Sequence, residues 1–171
     1  MARNPRGIRK AASAHGVHAR RASARTAPIS AAPALHESVR ALLGIPAPDT
    51  AALIRRVQQG FPVAAVQRLQ QAFALSADEV GALVQIPART LTRRKESGRL
   101  KADESDRVLR AARLMHKAAA LFNNDPAAAK AWMTTPQRGL GGAVPLDLAS
   151  TEVGAREVED ALGRIEDGVF A

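Results

Sequence analysis

Between Arg89 and Lys95 the chain carries Arg89, Thr90, Thr92, Arg93, Arg94 and Lys95. Guanidinium, ammonium and hydroxyl donors at this density suit phosphate oxygens. An Arg fork also fits the major-groove edge of guanine, where one good bidentate pair discriminates by about 1–3 kcal/mol. The plain alternative is a solvated basic face, which many small helical domains present. The surrounding spacing favours contact with DNA. Ser76 and Glu79 stand at capping-box spacing, so a helix starts at Ala77. Val80 and Leu83 face inward from it, and Gly81 is small enough for a second helix to come close. Ile86-Pro87 then turns the chain into that second helix, from about Ala88 to Ser97, and Leu91 holds it to the first. This is helix-turn-helix spacing, in which the second helix enters the major groove. Gln85 holds the turn position that is often Gly, so it must take strained φ/ψ or form a different turn.

Other residues capable of chemistry lack the pattern that chemistry needs. Gly139, Gly141 and Gly142 lie beside Arg138, but neither a P-loop nor a GxGxxG dinucleotide fingerprint is present, so they form a structural or protein-binding turn. His15, His18, His36 and His116 show no metal-ligand spacing, and with no Cys the chain has no disulfide, thiolate zinc site or Cys nucleophile. Glu159-Asp160 and Glu166-Asp167 are explained by the solvated face of an amphipathic helix. We therefore expect no enzyme, no metal and no cofactor.

The elements that must position these residues follow from composition and period. At 171 residues, 46% apolar but only 3% aromatic, the chain suits helices far better than strands, and an all-α fold is expected. Short helices over 38–43 and 50–58 flank a Gly/Pro turn, with Asp49 or Thr50 as the second cap. Phe61-Pro62 opens another helix, with Val63, Val66, Leu69 and Phe73 on one face. A long helix over about 103–122 has a seam of Val108, Ala112, Met115, Ala119 and Phe122, with Leu114 and Leu121 nearly opposite. Two apolar faces predict packing on its own domain and on a second domain or second chain. Asp125-Pro126 starts a helix that stops by Thr134; Pro145 to Leu148 makes one turn, and a last helix runs from about Glu152 to Asp167 with Gly168 as its C-cap. On that helix Arg156–Asp160 and Asp160–Arg164 have i,i+4 spacing.

Charge is segregated. The net +9 includes seven basic residues and no acid in 1–36, a local +6 over 89–117, and −4 over 121–171. A polyanionic partner at one end and a different partner at the other would account for this. Residues 1–34 lack periodicity and are expected to be a disordered basic tail, read as a passive tail, a DNA-clinging arm or a transit peptide. The remainder divides into 35–101, the helix-turn-helix domain; 102–124, a connecting and oligomerising helix; and 125–171, a small helical C-terminal domain. No apolar run approaches the roughly 20 residues that span a bilayer, so a soluble, cytoplasmic protein is expected.

The order Trp132, Pro136, Gly141, Gly142, Pro145, Leu146, Thr151, Gly154, Val158, Gly168 and Val169 resembles the C-terminal toxin-binding domain of the Xre/MbcA/ParS-like antitoxins. Ala88 to Leu100, with Glu104, Ser105, Asp106 and Arg107, is similar to the Xre antitoxin of RES/Xre toxin–antitoxin modules, so the resemblance covers about residues 60–171. It implies that the C-terminal domain binds a cognate RES-domain toxin, an enzyme that consumes NAD, while the helix-turn-helix represses the shared operon. Carried over by position, Arg138, Gly141, Gly142, Glu166, Asp167, Gly168, Val169, Phe170 and Ala171 are the candidate toxin-facing residues. Val169-Phe170-Ala171 either fold back and fray after Gly168 or form a plug for the partner's pocket. Trp132 reads as a core anchor or as an interface residue. A homodimer through the long helix would set two helix-turn-helix units on a palindromic operator. The alternative is a stand-alone repressor or partition-type factor whose C-terminal domain only dimerises.

Overall fold

The computed structural model describes residues 31–168, with side-chain surroundings from residue 37 onward. Its axis is a 20-residue helix, α6 (Ala102–Leu121), against which α1 (Ala31–Leu43), α2 (Thr50–Gln59), α3 (Ala64–Ala72), α4 (Ala77–Val84), α7 (Pro126–Thr134) and α9 (Glu152–Glu166) all pack. The expected seam of Val108, Ala112, Met115 and Ala119 is buried, and so are Leu114 on the far side, Ala111 and Ala118. The second apolar face is thus covered by other helices of the same chain. This is the second-domain packing that the two faces allowed, and Leu121, on the same side as Leu114, is half-buried.

The elements form where local chemistry dictates. Asp49 caps α2 by accepting from Ala52 N at 2.7 Å, and Asp125 caps α7 through Ala127 N and Ala128 N, with Pro126 in the first turn. The one-turn helix α8 (Pro145–Leu148) packs on α4, α7 and α9, and Thr151 caps α9 through Gly154 N at 3.0 Å. Buried apolar side chains from α1 to α9 make one continuous core, centred on Leu43, Phe61, Leu69, Ile86, Met115, Met133 and Leu162. Full burial of each such side chain contributes about 1.5–3 kcal/mol. Trp132 is half-buried against this core.

Two expectations need correcting at the N-terminal end. Helix α1 begins at Ala31 rather than 38, because the Ala-rich stretch propagates the helix and Pro33 is tolerated in its first turn. Residues 31–34, assigned to the disordered tail, therefore belong to α1; residues 1–30 lie outside the described residues. No helix among the described residues is long and apolar enough to cross a membrane.

Candidate functional site

The helix-turn-helix consists of α4 and α5 (Ala88–Ser97). Its first helix starts in a complete capping box: Ser76 Oγ accepts from Glu79 N at 3.0 Å, and Glu79 accepts from Ser76 N at 2.6 Å. These contacts, with the Lys130 ammonium 2.9 Å away, hold the Glu79 carboxyl below its ordinary range. At the turn, Gln85 adopts the left-handed conformation, φ 54° and ψ 42°, and Ile86 N closes the turn on Gly81 O at 3.1 Å. A Cβ on Gly81 would meet only the Ile86 carbonyl, at 3.4 Å, so this glycine makes room for the turn rather than for α5.

On α5, Arg89, Thr92, Arg93 and Lys95 are exposed, and Thr90 is half-buried. Arg89 and Arg93 lie one turn apart and share a face. Thr92 Oγ1 donates to Ala88 O within the helix, at 3.1 Å. Lys95 flanks a cleft between α3 and α5 that also takes in Gln67, Gln70 and Gln71.

Arg94 departs from its expected role as a free donor. Its Nε lies 2.8 and 3.1 Å from the two Glu104 carboxylate oxygens, and its second terminal nitrogen donates to Oε1 at 2.9 Å. The two side chains are only 12% and 5% exposed. Glu104 also accepts from Lys101 N at 2.7 Å. Burial raises the Glu104 pKa, but the Arg94 hydrogen bonds, the Lys101 amide and the nearby Arg charges outweigh it, and the net shift is downward. Arg94 is thus committed to the fold, because its partner stands on the first turn of α6.

Sequence reasoning also passed over the residues that fix the end of this motif. Arg99 Nη1 donates to Gln59 O and Gly60 O, at 3.2 and 3.0 Å, and Leu100 N donates to Phe61 O at 2.9 Å. Ser105 Oγ, fully buried, accepts from Phe61 N at 2.8 Å and donates to Lys101 O. The one available signal was the acid Glu104, three residues after Lys101, the spacing of a capping box.

The second candidate surface is a turn held against α9. Gln137 N donates to Ala143 O at 3.0 Å and closes a loop containing a single 3-10 turn, Arg138–Leu140. Gly141 and Gly142 follow at φ 66° and 83°, values that glycine adopts without strain. Arg138, Gly141 and Gly142 are exposed. Arg164 of α9 reaches back to Gly139 O at 3.4 Å, which brings the turn and the end of α9 together. Glu166, Asp167 and Gly168 are exposed there, and Gly168 terminates the helix at φ 72°. Val169, Phe170 and Ala171, the plug residues, lie outside the described residues.

Neither i,i+4 pair expected on α9 forms among the described residues. Arg156 bonds to Glu152 at 3.1 Å, and Arg164 is drawn to the turn carbonyl. Three cross-links tie this C-terminal region to the rest: Lys130 to Glu79 and to Ala74 O, Arg110 to Glu152, and Lys117 to Glu159 O.

Comparison with known proteins bears on both surfaces. Residues 52–113 match the Antitoxin Xre-like helix-turn-helix domain, and residues 117–168 match the Antitoxin Xre/MbcA/ParS C-terminal toxin-binding domain. The chain is 38% identical over 130 residues to Antitoxin Xre of Yersinia enterocolitica, an alignment covering 75% of this chain and 88% of that protein. The chain belongs to the Xre antitoxin family. This Xre-family antitoxin is also 35% identical over 130 residues to Antitoxin Xre of Photorhabdus laumondii, covering 75% of this chain and 88% of that one. With Antitoxin Xre of Pseudomonas putida it shares 32% over 114 residues, 66% and 70% of the two chains. As an Xre antitoxin it has two partners, a toxin at its C-terminal domain and DNA at its helix-turn-helix. The α4–α5 motif lies wholly within the first match, and the 137–143 turn with α9 within the second. The two matches meet inside α6.

Proposed function

We propose that this antitoxin neutralises a cognate RES-domain, NAD-consuming toxin by covering its active site with the C-terminal domain, and represses its own operon by binding operator DNA through α4–α5. The observation that carries the first half is the exposed Arg138–Gly142 turn, tied by Arg164 to the exposed end of α9, all within the toxin-binding match. A glycine turn lets a partner's backbone approach closely, and the exposed Arg138, Glu166 and Asp167 present both signs of charge. Gly168 belongs to this surface, and Val169, Phe170 and Ala171 are proposed as the residues that enter the toxin's pocket. The antitoxin itself supplies no catalytic group or cofactor and acts in the cytoplasm.

The RES toxin identity rests on the resemblance of Ala88–Leu100 and the terminal block to RES/Xre modules. Mixing the purified RES protein with this chain should suppress NAD consumption, and both Arg138→Glu and deletion of 168–171 should restore it. NAD consumption unaffected by the parent chain overturns the toxin half. For the DNA half, binding of the duplex upstream of the reading frame should weaken with salt at a logarithmic slope of about −0.9 per phosphate contact. A flat salt response overturns it. Two copies on a palindrome remain part of this reading, and sedimentation of the DNA complex reports them.

A further inference from the structure

We infer that Glu104 is the positioning residue of the DNA-facing helix, and that Arg94 serves that positioning rather than the DNA. The inference rests on the reading of α4–α5 as the DNA-binding motif. Apolar packing alone does not fix α5. It has no buried residue, its inward side chain Leu91 is only half-buried, and a cleft of about 460 Å³ separates part of it from α3. A helix seated so loosely can turn about its axis, and Arg89 and Arg93 would turn with it.

The bond that opposes this rotation is the Arg94–Glu104 fork. Among the described residues, no other side chain of α5 bonds to another helix. A guanidinium engaging one carboxylate through two nitrogens fixes both distance and plane, which a single-point ammonium contact does not. Glu104 is itself buried and held. It accepts from Lys101 N in the first turn of α6, where a negative charge also suits the helix dipole. Ser105, the next residue, bonds both Phe61 N and Lys101 O. The central helix of the molecule thus reaches α5 through one buried carboxylate.

The test is a double-mutant cycle on the full chain with Glu104→Gln and Arg94→Lys, reading affinity for the upstream duplex across a salt series. Arg94→Lys keeps the positive charge and loses only the fork. Each change should weaken binding by about tenfold or more, and the double variant should be no weaker than either single one, since both remove the same link. The salt slope should stay at the parent value, whereas Arg93→Ala should reduce it by about 0.9, one phosphate contact. Additive losses, or a slope lowered by Arg94→Gln but not by Glu104→Gln, overturn the proposal.

Amide hydrogen exchange supplies a readout independent of DNA. Both single variants should exchange faster over residues 88–97 while α9 keeps its protection. Should Glu104→Gln loosen the whole chain, Arg94→Lys decides, because it leaves the buried carboxylate paired. Unchanged exchange in α5 overturns the positioning role even if the parent binds DNA. A parent that binds no DNA overturns the α4–α5 reading, and the exchange data still decide what Glu104 does.

Discussion

The two partner-facing regions of this antitoxin are held in place by different physics. Helix α5 buries no apolar side chain and depends on a carboxylate–guanidinium fork and on backbone bonds at its end. Helix α9 rests on Gly154, Ala155, Val158, Ala161 and Leu162, all buried, while its ion pairs sit at the surface. A core-backed surface keeps its shape over a wide range of pH and salt. A surface held by one buried ion pair has an accurate pose that depends on a single charge. The DNA side should therefore respond to solution conditions sooner than the toxin side.

The strongest way to break this comparison is to damage each side sterically. A Cβ on Gly154 would stand 2.0 Å from the Leu148 carbonyl oxygen, and one on Gly60 2.0 Å from that of Leu100, the latter at φ 83°. Both obstacles are backbone, so neither can swing aside. Gly154→Ala should cost about 3 kcal/mol in thermal or urea denaturation and abolish toxin neutralisation, and Gly60→Ala should cost at least as much and abolish DNA binding first. If both substitutions impaired both activities equally, the two sides would share one mode of support.

Acidification should separate the sides next. Glu104 and Glu79 have depressed pKa values in the fold, so the stability they contribute is fully present above the unfolded carboxylate pKa and is lost as pH falls through the folded value. Below about pH 4, amide exchange in α4 and α5 should rise before exchange in the buried face of α9. Simultaneous loosening would contradict the distinction. Glu152 is lowered as well, first by its Arg110 bond, but it is exposed, and its protonation should matter less.

A smaller effect sharpens the picture of how the sides communicate. Lys130, on α7 within the toxin-binding match, bonds Glu79 in the first turn of α4 and the Ala74 carbonyl in the turn before it. Lys130→Ala should cost about 1 kcal/mol, discounted for the pair's partial exposure, and should slightly weaken DNA binding although the residue lies in the other segment. The smallest effect is a gain: Gln85→Gly removes a left-handed non-glycine residue, net of unfolded-chain entropy, and should add about 0.5 kcal/mol without changing either activity.

What could be read from sequence was whatever a few neighbouring residues decide. Ser76 with Glu79, Asp125 with Pro126, and Gly168 marked helix ends that the fold reproduces, because caps act over three or four residues. The exposed 138–142 turn followed from its glycines. The choice of partner by long charged side chains was not legible. Arg94 stood beside DNA-type donors in sequence, yet the angle between α5 and α6 aims it at Glu104. Arg164 had an acid four residues earlier, but a carbonyl 25 residues back is the partner it meets. Likewise the two apolar faces of α6 were visible, and only the tertiary arrangement revealed that helices of the same chain bury Leu114 on the second as well as the seam on the first.

The meeting of the two family segments inside α6 has a consequence for how such antitoxins can be recombined. A helix advances about 100° per residue, so a graft between residues 113 and 117 that gains or loses one residue would rotate every downstream element by that angle relative to the DNA-facing end. The Arg110–Glu152 and Lys130–Glu79 links, which cross the join, would then point at different neighbours. Exchange of toxin specificity between relatives is thus a problem of helical phase, and functional chimeras should keep the spacing of α6 unchanged across the join.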